Sequence, residues 1–206
     1  MYRNFITFEG GEASGKTTII KAVCEFLDKN KKDYIVSREP GGDIISEQIR
    51  NVILNKSNTN MDYRCEALLY AASRVQHLNN VVIPALNENK IVILDRYIDS
   101  SFVYQGFARN LGIESIENVN YFAMQYLPNF TFFIDVTPEV ALERIKINNR
   151  ETNRLDLEAF DFHQKVYNGY LKLCELYPNR IIKINGNRPI EAIIEDVINT
   201  LNEKLV

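Results

Sequence analysis

Tryptophan is absent from this 206-residue chain, histidine occurs twice and cysteine three times. Cys24, Cys65 and Cys174 are odd in number, far apart and form no Cys-x-x-Cys pair. That argues against a disulfide framework and a zinc site, and fits reduced thiols in a cytosolic protein. Cys24 and Cys174 fall in helix-like apolar patterns, where cysteine is a small core residue rather than a nucleophile. His77 and His163 are isolated, which suits surface or supporting groups better than ligands. Positive charge is also scarce, with 24 Lys and Arg against 27 Asp and Glu. No overall basic field exists to hold DNA or RNA, so nucleic acid is not an expected partner and any cationic site is local. The apolar runs are too short to cross a bilayer, and no basic stretch followed by an apolar core and cleavage site is visible. Neither a membrane nor a secreted destination is expected.

What is present is an alternation. Short β-branched or aromatic runs (NFITFEG, DYIVSRE, KIVILDRY, NFTFFIDV, RIIKING) are separated by longer stretches of helical period. The stretch RCEALLYAASRVQHLNNVVIPALNEN reads as one long helix or two, with a bend at Pro84, and ESIENVNYFAMQYL as a helix ending before Pro128. Five β-α units argue for a parallel sheet with helices on both faces, and the strands TFFIDV, IVIL and FITF are apolar almost throughout, as buried parallel strands are. No repeat or linker divides residues 1–206, so a single domain is expected. The polar stretch NNRETNR, residues 148–154, is the clearest lid candidate.

One motif carries chemistry directly. Gly10, Gly11, Glu12, Ala13, Ser14, Gly15, Lys16 and Thr17 match GxxxxGK[ST], between a strand and a helix. Glycines let the backbone curl so that successive N–H groups face phosphate oxygens, and the positive end of the helix adds to them. Lys16 would bridge β- and γ-phosphates, and the Thr17 hydroxyl would reach Mg²⁺. Asp95, where KIVILD leaves the sheet, is the acid placed to hold that metal directly or through water.

A phosphate loop alone does not say where the phosphate goes. A switch GTPase needs NKxD and DxxG elements; the nearest approach is NKSN at 55–58, which lacks the aspartate. Arg38, Arg50, Arg74 and Arg96 instead cluster around the presumed sheet edge, and guanidinium forks suit a second phosphate. That favours transfer to a small phosphorylated acceptor. A nucleoside kinase on the same fold and a nucleotide-binding regulatory protein are the rivals.

The phosphate loop, SREPGG at 37–42, LLYAASR at 68–74, DRYIDSSFVYQG at 95–106 and NRLD at 153–156 together resemble the bacterial thymidylate kinases almost from end to end. DRYxxSSxxYQG is the specific element. The resemblance implies a P-loop NTPase fold of the α/β class, a five-stranded parallel sheet and a short lid at about 146–156. It implies ATP and Mg²⁺ as cofactors, dTMP as acceptor, a cytoplasmic enzyme and a homodimer. Carried over by position, Gly10 to Thr18 would bind ATP. Tyr70 would stack on thymine and Arg74 would donate to its carbonyl, with Ser101 and Gln105 at the base edge. Arg96, assisted by Arg50, would grip the acceptor phosphate, and Tyr104 would crowd the sugar 2′ position. Glu12 and Glu39 would lie near the acceptor sugar and phosphate, Glu12 acting through the 3′-hydroxyl or the metal. A cis peptide before Pro40 would help aim Arg38 and Glu39. Some members carry an arginine inside the phosphate loop; GGEASGK has none, so Arg150 and Arg154 of the lid would supply the compensating charge. Lys16, Arg96, Glu12, Arg150 and Arg154 are thus the catalytic candidates. Arg144 and Lys146 are read as structural, and the loop 185–189 as the adenine pocket.

Overall fold

A computed structural model describes residues 4–148 and 153–205 of the chain. The five apolar runs are strands: β1 (Phe5–Glu9), β2 (Tyr34–Arg38), β3 (Ile91–Asp95), β4 (Phe130–Asp135) and β5 (Ile181–Asn185). They form one sheet in the order β2-β3-β1-β4-β5, every pairing parallel. β1 is therefore central, with Phe5 beside Val92 of β3 and Ile6 beside Phe130 of β4.

The pleat divides the core in two. Phe5, Val92, Leu94 and Phe133 face one side, against Ala67, Tyr70, Val166 and Leu173. Ile6, Phe8, Ile93 and Phe132 face the other, against Ile19, Val23, Val197 and Leu201. Helices α1 (Lys16–Lys29) and α9 (Ile190–Leu205) supply the second layer. The first is built from α2 (Ile44–Leu54), α3 (Tyr63–His77), α4 (Ile83–Asn87), α5 (Ile98–Ser101), α6 (Ile113–Val119) and α8 (Phe160–Leu176). α7 (Pro138–Asn148) follows β4. The three inner strands β1, β3 and β4 bury both faces, which is why they read as unbroken apolar runs, while the edge strands β2 and β5 are partly exposed.

Three local outcomes differ from the sequence reading. The long stretch after residue 63 breaks before Pro84, not at it: α3 widens into a π-helical segment, Leu78–Val82, and α4 follows with Pro84 in its first turn. Proline has no N–H for the carbonyl four residues back, and the wider turn accommodates it. The helix expected to run to residue 127 stops at Val119, with a short 3₁₀ turn at Ala123–Gln125. Asn120 ends it by donating Nδ2 to the Ile116 carbonyl at 2.9 Å and presenting Oδ1 to Arg74 at 2.6 Å. The signature after Asp95, for which no element was read, is helical: α5 passes into a π-helical segment, Phe102–Ala108.

Candidate active site

Every strand ends on the same edge of the sheet, and the chemistry gathers there. Gly10 turns the chain at φ 145°, and a Cβ at that position would sit 2.8 Å from the Ile134 carbonyl oxygen. Gly15, at φ 92°, leads into α1, whose first turn has no side-chain cap. Its N–H groups are left for an anion. The Lys16 ammonium folds back over the loop, donating to the carbonyls of Gly11 at 3.1 Å and Gly10 at 3.3 Å and to Ser14 Oγ at 3.2 Å. Burial, then repulsion from Arg96, pushes its pKa below the ordinary lysine value.

The loop opens on a cleft of about 580 Å³, lined by residues 12–18 and by all four of the arginines singled out by sequence. Tyr70, Tyr104, Gln105, Glu39 and Asp95 share its walls. Arg96 leaves β3 at φ 69°, a left-handed conformation that costs a side-chain-bearing residue about 1–3 kcal/mol. Three partners hold it there. Nη2 donates to Glu12 Oε1 at 2.8 Å, and Nη1 to Ser100 Oγ and the Tyr170 hydroxyl, each at 3.2 Å.

Those two hydroxyls are oriented from behind by Glu9, the last residue of β1. Its wholly buried carboxylate accepts from Ser100 Oγ at 2.7 Å, the Tyr170 hydroxyl at 2.8 Å, and the backbone of Tyr97 at 2.8 Å and Ser100 at 3.2 Å. Burial pushes the Glu9 carboxyl above its usual range and Asp99 adds to that, while Arg96 and these donors pull it back. Each hydroxyl gives its proton to Glu9 and keeps lone pairs for Arg96. Tyr170→Phe therefore leaves both Glu9 and Arg96 short of a partner. The expected result is a loss of about 1–3 kcal/mol in urea unfolding and a rise in acceptor KM, with ATP KM unchanged.

Glu39 anchors the opposite wall. The Glu39–Pro40 peptide is cis, as the sequence reading expected. The Glu39 carboxylate accepts from Arg74 Nε at 2.7 Å and meets His77 Nδ1 at 3.2 Å, while His77 Nε2 pairs with Ser37 Oγ at 2.8 Å. Arg74 spends three of its four remaining N–H donors on Ser101 Oγ at 3.0 Å, Asn120 Oδ1 at 2.6 Å and the Tyr97 carbonyl at 3.2 Å, which fixes the guanidinium in the wall with one Nη2 hydrogen left over. Gly42, at φ 83°, closes over this group, and a Cβ would sit 2.3 Å from Ser37 Oγ and 2.6 Å from His77 Nε2. Gly42→Ala is expected to destabilise the fold by about 2–4 kcal/mol. A change below about 1 kcal/mol in chemical denaturation would mean that the Ser37–His77 pair is free to move aside.

The remaining candidates are placed unevenly. Arg50 donates to the Pro40 carbonyl at 2.6 Å. The Tyr104 ring lies under Arg96, 5.3 Å from its guanidinium carbon. Tyr70 is buried in the wall, and its hydroxyl has no hydrogen-bond partner among the described residues, so it faces the cleft. Ser101 does not line the cleft; it stands behind Arg74 and accepts from it. Arg154 is also turned away from the phosphate loop. It donates Nε to the Ile53 carbonyl at 2.8 Å and Nη2 to Glu66, a wholly buried carboxylate that would be costly to leave unpaired. Glu66 also takes the Gln105 amide at 2.8 Å and Arg109 at 3.4 Å. Burial alone would push the Glu66 carboxyl up, but Gln105, Arg109 and Arg154 outweigh it and the pKa lies below the usual range. Arg150 and the central part of the expected lid lie outside the described residues. Arg144, read as structural, ties α7 to the Gly186 carbonyl at 2.9 Å and to the Ala13 carbonyl at 3.5 Å.

A divalent cation fits one corner. Asp95 Oδ1 is buried with no hydrogen-bond partner among the described residues, and Asp95 lines the same cleft as the exposed Thr17. A carboxylate and a hydroxyl on one cleft are hard-oxygen donors of the kind that Mg²⁺ takes.

Comparison with known proteins decides among the nucleotide-using families. The sequence profile described as "Thymidylate kinase" matches residues 8–197. The chain belongs to the thymidylate kinase family. It is 59% identical over 195 residues to a thymidylate kinase of Clostridium novyi, covering 94% of this chain and 95% of the relative. It is 47% identical over 202 residues to one of Acholeplasma laidlawii, covering 98% and 100%. The crystal structure of a thymidylate kinase from Ehrlichia chaffeensis superposes with a TM-score of 0.78 at 29% identity, covering 96% and 97%. That likeness and the all-parallel five-stranded sheet agree with the α/β P-loop fold that the resemblance implies.

The sequence reading missed the supporting layer: Glu9, Ser100, Tyr170, Glu66, Arg109 and Asn120. One signal was available. Glu9 is an acid closing an otherwise apolar central strand, and a carboxylate there needs several donors.

Proposed function

We propose that the chain transfers the γ-phosphoryl group of ATP to dTMP, giving dTDP, in the cleft at the sheet edge. The observation that carries this is Arg96. It lines the same cleft as the phosphate loop and is tied to that loop through Glu12. Donor and acceptor groups thus share one rigid constellation. ATP lies along residues 10–18 with its phosphates over Lys16 and the N-terminus of α1. The acceptor phosphate meets Arg96 and Arg50, the sugar lies against Tyr104, and the base lies between Tyr70 and Arg74 with Gln105 at its edge.

The work is positioning and electrostatics. An acceptor oxygen attacks the γ-phosphorus in line, with no covalent intermediate on the protein. At an effective dielectric of ~20, like unit charges 4 Å apart repel by about 4 kcal/mol, which is the need that Lys16, Arg96 and Arg50 answer. Thr17 and Asp95 would hold Mg²⁺, which when bound neutralises charge on the β- and γ-phosphates. Tyr104 excludes ribose because a 2′-hydroxyl meets a ring. With Arg154 committed to Glu66, the compensating lid charge is assigned to Arg150.

Three further readings belong to the same proposal. The enzyme is cytoplasmic, takes no nucleic acid partner and forms a two-fold homodimer. The dimer is supported by exposed apolar residues on α3 (Leu68, 56% exposed, and Val75, 37%) and by Tyr121 and Phe122. Ala67 and Ala71 of the same helix are buried. No helix among the described residues is long and apolar enough to cross a membrane.

The direct test is ³¹P NMR of enzyme with ATP and dTMP. New α- and β-phosphate resonances of dTDP, growing with ADP and abolished by a chelator, are expected. ADP and inorganic phosphate without dTDP would leave only a phosphate-loop hydrolase.

A further inference from the structure

We infer that Glu66 is a positioning residue that sets which end of the Gln105 amide meets the acceptor base, and thereby makes the site select pyrimidines with a ring N–H. The inference rests on the acceptor reading above and deepens it.

Glu66 lies in the first turn of α3 and is wholly buried. It accepts from Gln105 Nε2 at 2.8 Å, from Arg109 Nε and Nη2, each at 3.4 Å, and from Arg154 Nη2. Arg109 is shared with Glu158 and packed between the rings of Tyr63 and Phe162, 4.5 and 4.3 Å from their centres. An ionised carboxylate accepts and never donates. The nitrogen end of the Gln105 amide is thus bound to Glu66, and its oxygen end is turned the other way.

That orientation has a consequence in the cleft. Gln105 lines the cleft with Tyr70 and Tyr104, and among the described residues Glu66 is the only hydrogen-bond partner of its side-chain amide. What the base finds there is a carbonyl oxygen, which needs a donor opposite. Thymine and uracil carry N–H at ring position 3; cytosine carries a bare acceptor nitrogen. An amide free to rotate would serve either base, whereas one fixed by a carboxylate serves only the first. Arg74, whose guanidinium offers donors alone, adds a separate preference that Glu66 does not touch.

The test compares kcat/KM for dTMP and dCMP in the full chain and in Glu66→Gln. A glutamine at 66 can donate as well as accept, so it releases the amide. The dTMP-to-dCMP ratio is expected to fall about tenfold, the scale of one misdirected buried hydrogen bond, while ATP KM stays within about twofold. Because Glu66 also holds Arg154, kcat itself is expected to drop for both acceptors. Only the ratio reports on the amide, and a purely structural role would leave it unmoved. Glu66→Asp, which still only accepts, should retain most of the ratio. If Glu66→Gln fails to fold, Gln105→Ala carries the test, since it removes one hydrogen bond and leaves Glu66 with both arginines. An unchanged ratio in folded Gln105→Ala or Glu66→Gln overturns the inference. Failure of the acceptor reading itself would appear separately, as absent dTMP turnover in the unaltered chain.

Discussion

Arg96→Ala is expected to lower kcat/KM for dTMP by a hundredfold or more while ATP KM moves by less than threefold. Preorganised charge at a transferring phosphoryl group is worth about 10²–10³ in rate, and Arg96 is preorganised to an unusual degree. Its backbone is left-handed at φ 69°, its N–H is fixed to the Phe8 carbonyl at 2.9 Å, and its side chain is held by Glu12, Ser100 and Tyr170. Alanine removes the charge and also the reason for that arrangement. Glu9 keeps its four donors, so the fold should survive. Steady-state kinetics with each substrate varied in turn separates the two KM values. Equal losses for dTMP and ATP would remove Arg96 from the acceptor phosphate.

Lys16→Met is expected to cost about 10²–10³ in kcat without lowering thermal stability. The ammonium rests on two carbonyls and a serine hydroxyl and lies beneath the cleft. Burial depresses its pKa in the fold. A lysine whose folded pKa is depressed costs stability wherever it is protonated, because the unfolded chain holds that proton more tightly. Methionine keeps the stem and removes the cost, so Tm should stay constant or rise as activity collapses. A fall in Tm matching the fall in activity would mean that Lys16 braces the loop rather than the phosphates.

The five strands and the phosphate loop were legible in the sequence because each rests on local chemistry: apolar period, glycine freedom and a helix start behind the loop. The arginine cluster was legible too, and Arg38, Arg50, Arg74 and Arg96 do converge on one cleft. What sequence did not reveal is long-range. Glu9 meets Tyr170 across 161 positions, and Glu66 meets Arg154 across 88. No spacing rule connects such pairs; the sheet order and the packing of α8 against β4 do. Arg154 illustrates the point: beside Arg150 in sequence it reads as a second lid cation, yet a buried carboxylate from α3 takes it. The π-helical segments after His77 and Ser101 were hidden for a related reason, since their periods depart from 3.6 only where tertiary packing asks for it.

The central claim is that one cleft reads the acceptor's phosphate, sugar and base together. ADP release coupled to a dehydrogenase, with ATP and Mg²⁺ and matched concentrations of dTMP, dUMP, UMP and thymidine, tests it most directly. Fast turnover of dTMP, slower turnover of dUMP and almost none of UMP or thymidine is the predicted result. Thymidine turning over as well as dTMP would contradict it, because the guanidinium groups of Arg96 and Arg50 would then have no phosphate to hold.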